Sequence, residues 1–147
     1  MSYGALGRHE EALRLKRDVY SGRLKLYGEE HEETLHAANN YAADLIHLER
    51  LQEAKSLFRK TMSVALRVLG NNNDLTLKMR WLYAMALYED DRATLDDFHE
   101  AVTTLEDTER TARRVMGGAH PITRGIEVAL RNARAALRAS EIVSILN

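Results

Sequence analysis

Two histidines and two glutamates stand close together at His31-Glu32-Glu33-Thr34-Leu35-His36, the nearest the sequence comes to catalytic or metal-binding chemistry. A zinc-protease helix needs its histidines four apart on one face. These are five apart, a turn of about 500° rather than about 400°, so the two rings diverge. His31 and His120 read as structural residues of a repeated loop, and His9, His47 and His99 have no partner at ligand spacing. The acidic run Glu89, Asp90, Asp91, Asp96 and Asp97 lacks the glycine and the alternating oxygen ligands of a calcium loop, and reads as a solvated elbow. Cysteine is absent, which removes disulfides, thiolate zinc sites and cysteine nucleophiles. The expectation is a chain that is not an enzyme and takes no metal or cofactor.

Charge is the other source of chemistry. The formal net charge is −1, which argues against a general nucleic-acid binder, but the distribution is uneven. Residues 85–109 hold nine acids and one arginine, and residues 110–138 hold seven arginines and one glutamate. Glu106 with Arg110 and Glu109 with Arg113 are four apart in the favourable order, so part of this charge is expected to be satisfied along one helix. Arg124, Arg131, Arg134 and Arg138 remain as a candidate face for an acidic ligand, with a solvated capping surface as the alternative. No aromatic residue accompanies them, so bases would have no stacking platform.

These residues need elements to position them. Ala, Leu, Glu, Lys and Arg supply 75 of the 147 residues, whereas Val, Ile and Thr supply 21 and proline occurs once. Apolar residues recur at three and four with almost no strict alternation, so the fold is predicted to be all-α. No apolar run is long enough to span a membrane, and Met1-Ser2-Tyr3-Gly4-Ala5 shows no signal-peptide pattern, so a cytoplasmic chain is expected.

A repeat is visible. Gly28, Gly70 and Gly117 each follow a large apolar residue and precede His or Asn by three positions and Thr by six, as in Tyr27-Gly28 to His31 and Thr34. A Glu-Ala pair lies upstream each time (Glu11-Ala12, Glu53-Ala54, Glu100-Ala101), its alanine 16 residues before the glycine. That constancy predicts one rigid helix between them, with core stripes Ala12, Leu15, Val19, Leu24 and Tyr27; Ala54, Leu57, Phe58, Met62, Leu66 and Leu69; and Ala101, Leu105, Ala112, Val115 and Met116. The glycine suits the helix end. A second class of helix is expected over 33–48, 75–89 and 122–138, the last opened by Pro121 at a first-turn position. Five extra residues in the third repeat are placed in the elbow around Asp90–Asp97. The helix before Ala12 would begin upstream of residue 1, leaving only a tail over about Met1–Leu6. The units are then 1–30 (partial), 31–72, 73–119 and 120–147, together one repeat domain.

These motifs resemble the tetratricopeptide-repeat superfamily, specifically the 42-residue type of kinesin light chain and its relatives. Gly7-Arg8-His9-Glu10-Glu11-Ala12 resembles the family's elbow, Asn39-Asn40-Tyr41-Ala42 its Asn-Asn-Leu-Ala motif, and Leu69-Gly70 and Gly117 to Pro121 its loop. The resemblance implies an α-α superhelix of antiparallel helix pairs, six or seven helices in all, whose first helices line a concave groove. By position that groove would present His36, Asn39, Asn40 and His47 from one repeat, and Lys78, Trp81, Met85 and Tyr88 from the next. Asparagine amides there could hold a peptide backbone by donating and accepting together, with Trp81, Lys78 and Tyr88 on side chains. Local capping by Asn39 and Asn40, and a core role for Trp81, stay open as alternatives. The third and fourth repeats depart from the motif, with Trp81-Leu82 and Val128-Ala129 in place of the asparagines. Arg131 replaces the small residue Ala42 or Ala84, which marks the last helix as an end cap. The implied role is a non-catalytic interaction module or scaffold for a protein or peptide partner. The alternative is a structural segment that stacks on further repeats or self-associates into a homo-oligomer through its incomplete ends.

Overall fold

The structure, a computed structural model, describes residues 3–147, the side chains of Tyr3 and Leu6 excepted. It contains six helices and, among the described residues, no strand: α1 (Tyr3–Tyr27), α2 (Glu32–His47), α3 (Leu51–Leu69), α4 (Asp74–Tyr88), α5 (Leu95–Met116) and α6 (Pro121–Leu146). None is long and apolar enough to cross a membrane. The second-class helices fall within one or two residues of expectation at their starts, and α6 runs eight residues further than the periodicity suggested. The start of the chain differs. Met1 and Ser2 lie outside the described residues, but Tyr3–Tyr27 is one continuous helix, so Gly7 to Ala12 is helix rather than elbow and the expected tail residues from Tyr3 to Leu6 belong to α1. Gly4 and Gly7 are tolerated inside this helix, where a side chain at either would meet nothing.

The repeated loop residues act as helix caps. His31 takes an extended backbone and its Nδ1 accepts from the Glu33 amide at 3.1 Å. Asn73 Oδ1 accepts from the Leu75 amide at 2.8 Å, and His120 Nδ1 from that of Ile122 at 3.1 Å. One position thus does one job in three copies, satisfying an amide that the first turn leaves without an intrahelical acceptor. His31→Ala should therefore lower stability by about 1 kcal/mol, while His31→Asn, the residue that caps α4, should keep the wild-type urea midpoint. Equal loss in both variants would remove the cap assignment.

The glycines before these caps require positive φ, as expected, yet not a helical left-handed geometry. Gly70 lies at φ 84°, ψ 171° and Gly117 at φ 90°, ψ 157°, an extended mirror-image region essentially reserved for glycine. The five additional residues of the longer repeat are divided. The α4–α5 loop is three residues longer than the α2–α3 loop, and α5 gains almost a turn before Ala101. That extra turn is stabilised by a capping box in which Thr94 Oγ1 accepts from the Asp97 amide at 3.2 Å and Asp97 Oδ2 from the Thr94 amide at 2.9 Å. Asp90, buried rather than solvated, accepts from the Arg92 amide at 2.9 Å.

The chain divides into two compact units, the first closing at Gly70 and the second spanning Asn71–Asn147. In the first, α2 packs on α1 and on α3. Its core is Leu13, Leu35, Ala38, Ala42, Leu45, Ala54, Phe58 and Ala65. Thr34 Oγ1 donates to the Arg23 carbonyl at 3.2 Å, Lys16 pairs with Asp44 at 2.9 Å, and the rings of Tyr20 and Tyr41 stack. The expected α1 stripe is out of phase: Leu15, Val19 and Tyr27 are exposed and Leu13 is buried instead, because α2 covers the opposite side of the helix. On α3 the buried stripe runs Ala54, Phe58, Thr61 and Ala65, with Leu57, Met62, Leu66 and Leu69 only partly covered. In the second unit α4, α5 and α6 pack pairwise around Leu77, Met79, Leu87, Leu105, Ala112 and Ile126, and Tyr83 donates to Glu100 at 2.5 Å. Val115, counted in the α5 stripe, is exposed.

Candidate functional site

On α2, His36, Asn40, Ala43 and His47 are spaced four, three and four, so they form a single row along the helix. His36, Asn40 and His47 are exposed and Ala43 is half-covered. His36 is held near Glu32 at 3.6 Å, one turn earlier. Asn39 lies at the margin of this row and is buried, 8% exposed, with its Oδ1 lacking any hydrogen-bond partner. A buried acceptor left without a donor costs about 1–3 kcal/mol, so the protein carries it against its own stability. The paired asparagines thus differ: Asn40 faces solvent and Asn39 faces inward.

The equivalent residues of α4 sit in the second unit. Lys78 is exposed and Met85 is half-buried. Trp81 and Tyr88 lean onto α6. The Trp81 ring lies so close to Gly125 that a β-carbon there would stand 2.4 Å from Cη2. Trp81 Nε1 is buried and without an acceptor. Tyr88 shares a hydrogen bond with Asn132, and burial, then the nearby Glu89, push its hydroxyl pKa up. Repeat register makes Trp81 the counterpart of Asn39. The same position carries an unmatched acceptor in one unit and an unmatched donor in the other.

Arg134 of α6 and Arg110 and Arg113 of α5 pair with carboxylates. Arg134 pairs with Glu106 at 3.4 Å, Arg113 pairs with Glu109 at 2.8 Å and also with Glu127, and Arg110 pairs with Asp107 rather than Glu106. A cavity of about 270 Å³ beside Arg131 and Arg134 is also lined by Glu109 and Glu127, so an anion entering it would meet carboxylates. Arg124, Arg131 and Arg138 are exposed. By register, Arg124, Arg131 and Arg134 stand where α2 buries Leu35, Ala42 and Leu45 and α4 buries Leu77, Ala84 and Leu87. Arginine at those three positions suits solvent rather than a helix seam.

Sequence reasoning missed Gly125 and Asn132, the α6 residues that receive Trp81 and Tyr88. A glycine in mid-helix was the available signal for the first. It also missed a cavity of about 440 Å³ lined by Tyr41 and Leu45 from α2 and by Gln52, Glu53, Ser56, Leu57 and Lys60 from α3, which includes none of the residues expected to bind a peptide. Among the described residues, no three His, Asp or Glu side chains converge as metal ligands.

Comparison with known proteins agrees with this architecture. Residues 1–33 and 34–74 each match the family model of a tetratricopeptide repeat. The third and fourth repeats, with the longer elbow and without the paired asparagines, lie beyond the match. No curated protein matches the chain.

Proposed function

Because the chain belongs to the tetratricopeptide-repeat family, whose repeats serve protein–protein interaction, we propose that it is a non-catalytic module that binds an extended peptide segment of a partner protein. The observation that carries this reading is the buried, unpartnered Oδ1 of Asn39 beside the open row of His36, Asn40 and His47. A peptide backbone offers donors and acceptors alternately, so a small rotation of the Asn39 amide gives its oxygen the donor that the fold does not supply. Asn40 takes a second backbone group, and the two histidines contact whatever flanks it. The α4 row, taken by itself, offers Lys78 as a charge partner, and Met85 with the exposed parts of Trp81 and Tyr88 gives apolar contact. The same chemistry suits a partner in the cytoplasm.

Asn39→Leu separates binding from folding. It removes the unmatched acceptor without emptying the site, so the urea midpoint should rise by an amount equivalent to about 1 kcal/mol. Peptides selected on the wild-type chain from a phage-displayed library should at the same time bind at least about tenfold more weakly, as expected for the loss of one or two backbone hydrogen bonds. Asn40→Ala should weaken binding and leave stability alone. Selected peptides that bind Asn39→Leu and Asn40→Ala as tightly as wild type would remove these residues from the proposal.

A further inference from the structure

The side of α6 turned away from the core carries a row of arginines. Arg124, Val128, Arg131, Ala135 and Arg138 follow one another at spacings of four, three, four and three, away from the core residues Ile126 and Ala133. All five are exposed, Val128 at 47%. The arginines stand two turns apart, about 10 Å each, in a straight line. Among the described residues, none of these three pairs with a carboxylate. Glu127, the acid beside the row, is held by Arg113 of α5, and Arg134 is held by Glu106.

In the repeat register, a helix is what this side receives. Arg124 and Arg131 correspond to Leu35 and Ala42 of α2, where α3 supplies the cover: Leu35 shares a crevice with Thr61 and Val64, and Leu45 shares one with Ser56 and Leu57. The spacing on α6 is also the interval at which one helix seats along another. Charge decides the kind of helix. An apolar one would strip water from three guanidinium groups without replacing it. A helix with carboxylates every seventh residue would meet each arginine with a charge-assisted hydrogen bond and lay small apolar residues on Val128 and Ala135. The same face of a second copy would set arginine against arginine. A fluid anionic membrane selects no seven-residue spacing, and two small aliphatic side chains insert little apolar area into it. We propose that this row docks an acidic amphipathic helix of a partner protein, with Asp or Glu at seven-residue intervals opposite Arg124, Arg131 and Arg138. The contact uses neither Asn39 nor the α2 row, so it stands or falls apart from peptide binding there.

The probe is a fluorescent, alanine-rich synthetic helix of about 21 residues with glutamate at every seventh position. Its control has the same composition with the glutamates spread evenly around the helix. Fluorescence anisotropy with the full chain at about 50 mM salt should show the first peptide bound at least about tenfold more tightly than the control. Arg131→Glu should weaken that binding about tenfold, with unchanged circular dichroism, and a peptide carrying lysine for its central glutamate should recover it. Arg124→Glu and Arg138→Glu, at the two ends of the row, should each weaken binding similarly, and Asn39→Leu should leave it unchanged. Equal affinity for the two peptides, or no saturable binding up to about 1 mM, would overturn the proposal. So would phosphatidylserine vesicles that retain the chain through these arginines while the acidic helix does not bind.

Discussion

Gly125→Ala is expected to destabilise the second unit by about 2 kcal/mol, although the same change in an unhindered helix would stabilise it. Alanine is the better helix former by about 1 kcal/mol. Against that gain, its β-carbon would stand 2.4 Å from Trp81 Cη2 and 2.5 Å from Cζ2, which no pair of carbons tolerates. The indole must shift, and overpacking of this kind typically costs about 1–3 kcal/mol or more. A shift of the indole also disturbs its covered side, where Nε1 is buried. Trp81→Ala alone should cost about 2–4 kcal/mol, toward the low end for a tryptophan, because the ring is half-covered and its unmatched donor disappears with it. In that background the obstacle is gone, and Gly125→Ala should then stabilise by about 1 kcal/mol, a coupling of about 3 kcal/mol. Urea unfolding followed by circular dichroism, which needs no tryptophan, reads all four proteins. A stabilising Gly125→Ala in the wild-type chain would show that the ring does not sit against α6.

That pair illustrates what the sequence made legible and what it left hidden. Period and offset revealed the helices, the repeat and the positions shared between copies, because constant spacing between Ala12 and Gly28, Ala54 and Gly70, and Ala101 and Gly117 records a rigid element directly. Direction around a helix was less readable. On α1, apolar residues occupy two faces, and only the packing of α2 decides that Leu13 is covered while Leu15 and Val19 are not. The cap residues were visible as a pattern but not as a mechanism. Histidine is not a usual N-cap, yet an unprotonated Nδ1 accepts an amide proton as an asparagine oxygen does, and Asn73 standing at the same position was the clue. At the candidate site, register identified Asn39 and Trp81 as equivalents. It could not tell that Asn39 turns inward from Asn40, or that Trp81 and Tyr88 meet Gly125 and Asn132, because those facts depend on which neighbour each helix acquires.

In the first unit, Phe58→Ala should be the most damaging single truncation, at about 3–5 kcal/mol. Phe58 is the largest of the fully buried side chains, at 0% exposure. The fully covered residues of this unit include four alanines, Ala54 and Ala65 on α3 and Ala38 and Ala42 on α2, together with Leu35 and Leu45 on α2. Alanines cannot change rotamer to fill a void and only the larger side chains can lean into it, so much of the cavity left by the ring should persist. Phe58→Leu retains most of the volume and should cost less than about 1.5 kcal/mol. Leu57→Ala, one residue away on the half-covered side, should fall below both, since that side chain already borders an open cavity. Amide exchange gives the local reading. Protection across α2 and α3 should fall by about two to four decades in Phe58→Ala and by about one decade or less in Phe58→Leu. A Phe58→Ala cost below that of Leu57→Ala would place the core of this unit on the other face of α3. The margin for α2 bears on the proposed peptide site as well: the row of His36, Asn40 and His47 keeps its spacing only while the inner side of the same helix, Leu35, Ala38, Ala42 and Leu45, stays packed.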